Sequence, residues 1–251
     1  AVLVSSEQIV PSFEALSEPL IDYVNRPGFT TWKAGVNKNL MSEDHVRQLC
    51  GVPEETPEHL KLEEMAPHAY SRLPRNFDAR NQWSNCPTIR EIRDQGNCGS
   101  CWAFGASEAM SDRICIASRG RKNVHISAED LLSCCSTCGY GCRGGYPGSA
   151  WRYFVRSGLV SGGQYKSGKG CRPYSIAQCE HHVHGNRVAC DRLRKPTTPR
   201  CERRCQSNYN GEYRRDLHFG KSAYRVPNNA EQIAQEIYRY GPVEAGFTVY
   251  A

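Results

Sequence analysis

The chain has 251 residues, of which 39% are hydrophobic, and a formal net charge of +6. That length can bury a sizeable core, and the lack of an apolar run of membrane-spanning length excludes a transmembrane segment. The basic side chains are dispersed rather than gathered on one helix or stripe, which argues against binding of nucleic acid.

Fourteen cysteines are an unusually large number for a chain of this length. A reducing cytosol keeps thiols reduced, so this composition favours a lysosomal or endosomal location, or secretion. Cys135 and Cys138 have the spacing of zinc ligands. The cysteines are nevertheless scattered singly rather than grouped in matched pairs, so we expect neither a metal site nor a cofactor.

Charge divides the chain into two parts. Residues 1–72 carry six basic and eleven acidic side chains, whereas residues 73–251 carry twenty-six and fifteen. An acidic leader and a basic body attract each other, and protonation of carboxylates at low pH weakens that attraction. The pattern suits a detachable intramolecular inhibitor. Residues 1–6 are apolar and then small, as at the end of a secretory signal.

Two helices and a linker are predicted in the leader. Residues 12–24 place apolar side chains at helical spacing, and Pro19 should kink or end an early turn. Ser42 precedes two acidic residues and is typical of the cap of a second helix, which Gly51 should close. Residues 53–74 are acidic and punctuated by prolines, a composition typical of an exposed, cleavable linker.

The strongest helix prediction covers residues 101–117, which follow the helix-breaking Gly96 and Gly99. Shorter helices are predicted at residues 127–132, 147–154 and 229–240. Residues 159–225, between the last two of these, are rich in glycine, proline and cysteine and are predicted to form loops.

Residues 243–249 alternate apolar and polar side chains, which predicts a half-buried strand. The chain stops inside this predicted strand, and an unpaired strand edge invites aggregation. We therefore expect a C-terminally truncated chain whose last structural unit is incomplete.

Residues 95–104 carry the candidate chemistry. Cys101 falls in the first turn of the predicted helix, where the helix dipole and free N–H groups favour the nucleophilic thiolate. The same N–H groups can stabilise an oxyanion, and Gln95 can add a second donor from the preceding loop. The alternative is a redox pair of Cys98 with Cys101, but that pair would require a thioredoxin-like βαβ context, which is absent.

The run from Cys98 to Trp102 matches the C-G-[SA]-C-[WY] pattern of papain-like nucleophiles. Beyond this run, residues 73–250 resemble mature cathepsin B-type enzymes of the papain family, and residues 11–72 resemble their propeptide. The resemblance is carried by segments such as 92–95, 112–116, 127–132 and 241–244. It implies an α+β, papain-like two-domain fold, with a helical domain, an incomplete β-barrel-like domain and an N-terminal propeptide.

By this resemblance, residues 1–72 are the propeptide and residues 73–251 a truncated peptidase domain. The implied activity is hydrolysis of peptide bonds through a thioester on Cys101, as endopeptidase and carboxydipeptidase. The implied partners are peptide and protein substrates, the chain's own propeptide as inhibitor, and cystatin-type inhibitors.

The catalytic histidine and asparagine of this family lie in its C-terminal half. None of the eight histidines has the expected Gly-His-Ala context, so we expect the chain by itself to be inactive. The alternative is a catalytically silent, secreted, cysteine-rich homologue that binds peptides or proteins. Retention of Cys101 and Gln95 argues against that alternative.

Residues 179–190 resemble the loop that occludes one end of the cleft in cathepsin B-type enzymes. His181 and His182 would bind the terminal carboxylate of the substrate, which suits imidazolium charge at mildly acidic pH. Asp94 is the implied partner of His181.

Gly144 and Gly145 resemble the cleft wall on which substrate and enzyme backbones pair, a role that favours residues without side chains. Tyr146 and Trp102 are expected to contact substrate at the same subsites. Arg143 stands where the family has asparagine, which leaves the preference of the neighbouring subsite open.

Six disulfides are implied by the resemblance and would leave Cys50 and Cys101 as free thiols. The implied pairs are Cys86 with Cys115, Cys98 with Cys142, Cys134 with Cys201, Cys135 with Cys138, Cys171 with Cys205, and Cys179 with Cys190.

Overall fold

The computed structural model describes residues 13–14, 17–28, 31–36, 43–54, 56–180, 185–194 and 196–249. The α-helices in these residues are α1 (Glu18–Val24), α2 (Glu43–Leu49), α3 (Ala79–Gln82), α4 (Cys101–Ala117), α5 (Ala128–Cys134), α6 (Pro147–Arg156) and α7 (Ala230–Tyr240). Short 3-10 helices occur at Glu58–Leu60, Pro87–Arg90, Cys190–Arg192 and Tyr213–Arg215.

Helix α4 lies at the centre of the core. It packs against α5, α6 and α7, and its buried side chains are spread over most of its circumference. Trp102, Met110 and Cys115 are almost completely removed from solvent. A helix that is covered on most sides is fixed by its neighbours, so the residue at its start is held in a defined position.

The helices predicted after residue 100 form with closely similar bounds. α4 spans the predicted residues, and α5 follows Ser127, whose hydroxyl accepts a backbone N–H from the first turn at 2.9 Å. α7 is capped in the same way by Asn229 and ends at Gly241, which has a φ of 99°. Local capping and apolar spacing were therefore sufficient to place these elements.

The prediction of one helix over residues 12–24 was too long. α1 begins at Glu18 after the cap residue Ser17, so that Pro19 lies in the first turn. Proline is tolerated there because the first N–H groups of a helix have no intrahelical partner. Pro19 therefore helps to start α1 and does not kink or end it. Ser42, the predicted cap of the second helix, lies outside the described residues.

The described residues contain isolated β-bridges but no extended ladder. The prediction of a strand at residues 243–249 was wrong for this structure. A strand is held by backbone hydrogen bonds to a neighbour, and no described residue pairs with this segment. Phe247, on the face predicted to be buried, is 87% exposed. Of the predicted α+β fold, the described residues thus contain the helices and, in place of a sheet, isolated β-bridges.

Six disulfides connect the loops to the helices, and their partners are those that the family resemblance implies. They are Cys86–Cys115, Cys98–Cys142, Cys134–Cys201, Cys135–Cys138, Cys171–Cys205 and Cys179–Cys190. The free cysteines in the described residues are Cys50 and Cys101.

Residues 53–74 are largely exposed, as their composition predicts, but part of this segment is also paired with the body. The N–H of Arg225 donates to the carbonyl oxygen of Glu63 at 2.8 Å, and the N–H of Met65 donates to that of Arg225 at 2.9 Å. Arg225 also forms an ion pair with Glu64 at 2.8 Å. This part of the predicted linker is thus attached to the body while Glu63 and Glu64 stay exposed.

Residues 63–71, which we call the anchored segment, continue onto α7. The N–H of His68 donates to Oε1 of Gln232 at 2.6 Å. The hydroxyl of Ser71 donates to Oε1 of Gln235 at 2.7 Å. Side chains of one helix face therefore satisfy the backbone and side-chain groups of the anchored segment.

A buried carboxylate completes this contact. The side chain of Glu236 is fully buried, and its Oε2 lies 2.7 Å from the ring Nε2 of His68. Its Oε1 accepts a hydrogen bond from the hydroxyl of Tyr224 at 2.6 Å and lies 2.9 Å from a guanidinium nitrogen of Arg113. Burial alone would raise the pKa of Glu236, but the hydrogen bonds from Tyr224 and Arg113 outweigh it and lower that pKa.

Candidate active site

Cys101 is the first residue of α4, and its thiol faces the leader. The Sγ atom accepts a hydrogen bond from the N–H of Gly51 at 3.1 Å. Because the residues around Gly51 cover the thiol, Cys101 is only partly accessible to solvent.

The pKa of the Cys101 thiol is raised, which differs from the lowering expected at a helix start. Burial is the main cause, and the nearby Cys50 and Glu244 add to it. The N–H groups of Gly51 and Trp102 act in the opposite direction but do not outweigh the loss of solvent. Desolvation disfavours the charged form of a buried group. The covered thiol is therefore held in its unreactive, protonated form.

Gln95 and Cys101 both contact the leader segment at residues 49–51, and the side-chain donor of Gln95 is already occupied. Its Nε2 donates to the carbonyl oxygen of Leu49 at 3.2 Å. Its Oε1 is buried and has no hydrogen-bond partner in the described residues. A peptide carbonyl of the leader thus binds to the side-chain donor that was predicted to stabilise an oxyanion.

The wall of the cleft is built from two glycines. The N–H of Gly145 donates to the carbonyl oxygen of Gly51 at 2.8 Å. A Cβ atom on Gly144, which has a φ of +109°, would lie 3.0 Å from that same oxygen. Side chains are therefore excluded by both backbone conformation and the close approach of the bound segment.

Trp102 does not form the surface of the cleft. It is 1% exposed, and its indole N–H donates to the carbonyl oxygen of Gly141 at 3.1 Å. A Cβ on Gly145 would lie 2.6 Å from the indole ring. The prediction that Trp102 contacts substrate is therefore corrected: the residue supports the wall from behind. Tyr146 follows Gly145 in the chain, and its N–H donates to the carbonyl oxygen of Cys138 at 2.7 Å; its contact with substrate stays a prediction.

The segment that fills the cleft spans residues 48–51. Besides the contacts of Leu49 and Gly51, the side-chain nitrogen of Gln48 donates to Oδ1 of Asn97 at 2.8 Å. Gly51 also packs so closely on Gly99 that a Cβ there would lie 2.3 Å from the Gly99 oxygen. Sequence analysis did not find these contacts, since most of them are made by backbone atoms.

The predicted loop at residues 179–190 is closed by a disulfide between its end residues. Backbone hydrogen bonds of Glu180 also join the two arms of the loop. Arg187 forms an ion pair with Asp94 at 3.2 Å. His181 and His182 lie outside the described residues, so their roles and the pairing of Asp94 with His181 stay predictions.

Glu244 is a site residue that sequence analysis missed. Its carboxylate accepts the indole N–H of Trp151 at 2.7 Å and lies against Gly105, one turn after Cys101 on α4. Burial raises the pKa of Glu244 to about 8. In the sequence this residue is only one polar position of an alternating pattern, so no signal distinguished it.

No histidine hydrogen-bonds to Cys101 within the part of the chain that the structure describes. His125 lies near Glu91 at 3.0 Å, and His218 pairs its backbone with that of Leu159. The described residues contain no group of three or more side chains suited to hold a metal ion. Among them, no helix is long and apolar enough to cross a bilayer.

We expect iodoacetamide to alkylate Cys101 slowly in the intact chain, because its raised pKa leaves little thiolate at neutral pH. The rate should climb with pH and reach half its maximum above about pH 8.5, the ordinary thiol value. Peptide mapping by mass spectrometry would follow Cys101, with the exposed Cys50 as reference in the same sample. Faster alkylation of Cys101 than of Cys50 at neutral pH would contradict the conclusion that the leader covers the Cys101 thiol.

Residues 73–251 match the family model described as papain family cysteine protease. The chain is 44% identical over 240 residues to a cathepsin B-like cysteine proteinase of Schistosoma japonicum, covering 94% of this chain and 70% of the relative. It is 45% identical over 259 residues to cathepsin B-like cysteine proteinase 4 of Caenorhabditis elegans, covering 99% and 75%.

Among solved structures, procathepsin B S9 from Trypanosoma congolense is similar with a TM-score of 0.70 and 31% identity. That match covers 89% of this chain and 69% of the solved chain. Digestive procathepsin L 3 of Tenebrio molitor shares the fold, with a TM-score of 0.53 and 20% identity over 88% of this chain and 59% of that one.

Proposed function

Since this chain belongs to the papain family of cysteine proteases, and within it to the cathepsin B-like proteinases, we propose that it is the zymogen of a peptidase with Cys101 as nucleophile. Residues 1–72 act as the propeptide and residues 73–251 belong to the peptidase domain. The observation that carries the proposal is the simultaneous contact of residues 48–51 with Cys101 and Gln95.

In the open enzyme, the Cys101 thiolate attacks the carbonyl carbon of the substrate and a tetrahedral oxyanion forms. The amine then leaves and a thioester remains on Cys101, which water hydrolyses. Gln95 donates its side-chain N–H to the oxyanion, since its donor is freed once the Leu49 carbonyl departs. In this family the general base is a histidine, and no histidine among the described residues hydrogen-bonds to Cys101.

The propeptide inhibits by filling the site with its own backbone. Gly51 donates its N–H to the thiol of Cys101, whose pKa is raised by burial, while Leu49 occupies the donor of Gln95. The carbonyl oxygen of Gly51 also accepts the hydrogen bond that the N–H of Gly145 donates from the wall. A substrate needs the same groups, so it competes directly with residues 48–51.

We propose that the loop at residues 179–190 gives the enzyme carboxydipeptidase activity in addition to endopeptidase activity. Its disulfide and the ion pair of Arg187 with Asp94 hold it against the body. His181 and His182 within it would bind a terminal carboxylate.

The six disulfides are typical of a protein that is lysosomal, endosomal or secreted. Cystatin-type inhibitors would compete with substrates for the cleft.

The proposal is tested in the full-length natural protein, before and after removal of the propeptide at pH 5.5. A peptidyl epoxide should label Cys101 in the processed enzyme and leave the zymogen unlabelled, as read by peptide mapping. A fluorogenic dipeptide should be hydrolysed by the same processed sample alone. Absence of both labelling and turnover after processing would favour the silent, peptide-binding homologue.

A further inference from the structure

Cys50 and Cys101 are the cysteines that the six disulfides leave unpaired. All fourteen cysteines of the chain lie in the described residues, so these residues contain the whole set of free thiols. One free thiol belongs to the leader and the other is the candidate nucleophile. Although they are distant in the sequence, the fold brings them to the same place.

The backbone holds Cys50 against the nucleophile. Its own N–H donates to the carbonyl oxygen of Val46 in α2 at 3.1 Å. The next N–H, that of Gly51, donates to Sγ of Cys101 at 3.1 Å, and the carbonyl oxygen of Gly51 accepts the N–H of Gly145. Hydrogen bonds on both sides of Cys50 therefore fix the position of its Cα atom.

Covalent geometry limits the distance between the two cysteines. The Cα atom of Cys50 lies about 2.4 Å from the nitrogen of Gly51, and that nitrogen lies 3.1 Å from Sγ of Cys101. The Cα atom of Cys50 is therefore at most about 5.5 Å from the sulfur of the nucleophile. Disulfides join cysteines whose Cα atoms are up to about 7 Å apart, so rotation of the Cys50 side chain can bring the two sulfurs into bonding range.

The two thiols differ in their access to solvent. Cys50 is exposed, whereas Cys101 is partly covered. The Cys50 side chain also lies close enough to raise the pKa of the Cys101 thiol, because two thiolates repel each other. A small molecule that reacts with thiols thus meets Cys50 first and finds Cys101 beside it.

We propose that Cys50 and Cys101 form a reversible disulfide in the zymogen under oxidising conditions, which ties the propeptide to the nucleophile until a thiol reductant breaks the bond. The oxidant is a low-molecular-weight disulfide such as glutathione disulfide. This proposal rests on the proposed roles of residues 1–72 as propeptide and of Cys101 as nucleophile. It adds a redox requirement to activation.

The bond forms by two successive thiol–disulfide exchanges. The Cys50 thiolate attacks one sulfur of glutathione disulfide, and one glutathione leaves. The Cys101 thiolate then attacks Sγ of Cys50 and displaces the second glutathione. The protons lost by the two cysteines end on the two released glutathione molecules, so two protein thiols are oxidised and one small disulfide is reduced. A reductant reverses both exchanges.

The disulfide changes what a cut in the leader achieves. Cys50 precedes residues 53–72, so a leader that is cut there stays attached to the body through sulfur. The cut enzyme is then inactive until the bond is reduced. While bonded to Cys50, Cys101 is also protected from oxidation to sulfinic acid, which is irreversible for an ordinary cysteine.

The test uses the full-length zymogen, incubated with glutathione disulfide at about pH 8, where thiolate is available, and then freed of it. The intact mass should fall by two hydrogen atoms, and peptide mapping without reduction should find Cys50 joined to Cys101. After an added protease has cut within residues 53–72, denaturing electrophoresis without reductant should show the leader still attached to the body. Dithiothreitol should release the leader and restore epoxide labelling of Cys101.

The other disulfides do not confuse this measurement, because all six lie within residues 86–205. Cys50→Ser and Cys50→Ala should both lose the mass change and the attached leader. Cys101→Ser is the matched control for the second exchange. It has no thiol to displace glutathione, so Cys50 should keep one glutathione as a mixed disulfide and the cut leader should separate without reductant.

The outcomes separate the two proposals. A natural zymogen whose cut leader separates without reductant, or whose Cys50 and Cys101 stay free or each carry glutathione, overturns the disulfide. The peptidase function stands in that case if the reduced, processed enzyme hydrolyses a fluorogenic peptide. A disulfide between Cys50 and Cys101 with no turnover after reduction and processing overturns the peptidase function and leaves the disulfide in place.

Discussion

Replacement of Cys101 by serine should lower kcat/KM of the processed enzyme by about ten thousandfold or more. The reason is that the thiol forms the covalent intermediate, and a serine hydroxyl without an adapted base is a far weaker nucleophile. The remaining site would still bind substrate, because Gln95 and the glycine wall are unchanged. Steady-state kinetics with one fluorogenic peptide at pH 5.5 measures the loss.

Cys50→Ser is the matched control for this substitution. Cys50 is the other free thiol of the described residues, and it is exposed. It lies in the leader that the proposed processing removes, so the variant tests folding and processing of the zymogen, and the processed enzyme should keep its full activity and its epoxide labelling. Comparable losses in both variants would point to impaired folding or processing of the zymogen and would contradict the assignment of Cys101.

Glu236→Gln should lower the free energy of unfolding of the intact chain by about 3 kcal/mol. Glu236 is fully buried and meets His68, Arg113 and Tyr224 at once. The glutamine keeps the shape but removes the buried counter-charge of the partly buried guanidinium of Arg113, which is the costly part of breaking such a pair. Guanidinium chloride titration, followed by tryptophan fluorescence, gives the difference.

Glu231→Gln provides the control, since Glu231 is an exposed residue in the first turn of the same helix. That change should alter the free energy of unfolding by less than about 0.5 kcal/mol.

The contribution of Glu236 to stability also depends on pH. The pKa of Glu236 is lowered in the fold, so its contribution is present above its unfolded value of 4.5 and is lost as pH falls through the lower folded value. Equal losses of unfolding free energy in Glu236→Gln and Glu231→Gln would contradict a stabilising role of the buried network around Glu236.

Local signals in the sequence predicted the helical part of the fold. Ser127 and Asn229 cap helices because capping depends on neighbours within three residues. The start of α4 follows in the same way from the glycines before Cys101. Recognition of the family added the disulfide pairs, which spacing alone leaves open.

The features that the sequence did not predict depend on contacts with residues that are distant in the chain. The raised pKa of Cys101 comes from burial, and the leader residue that contacts its thiol, Gly51, lies fifty residues earlier. The burial of Glu236 and Glu244 depends on partners distant in the chain, so each looked like an ordinary exposed acid. Residues 243–249 have the composition of a strand, yet a strand forms only where another segment supplies hydrogen bonds.

The leader holds the body at two separate places, the cleft segment 48–51 and the anchored segment 63–71. In binding terms it is a bivalent ligand, and each attachment raises the effective concentration of the other. A cut near residue 72 would release a peptide that still binds through both attachments and departs slowly. A cut within residues 53–62 would leave the anchored segment on the body and turn the cleft segment into a monovalent ligand. The position of the first cut therefore sets how quickly the nucleophile is uncovered.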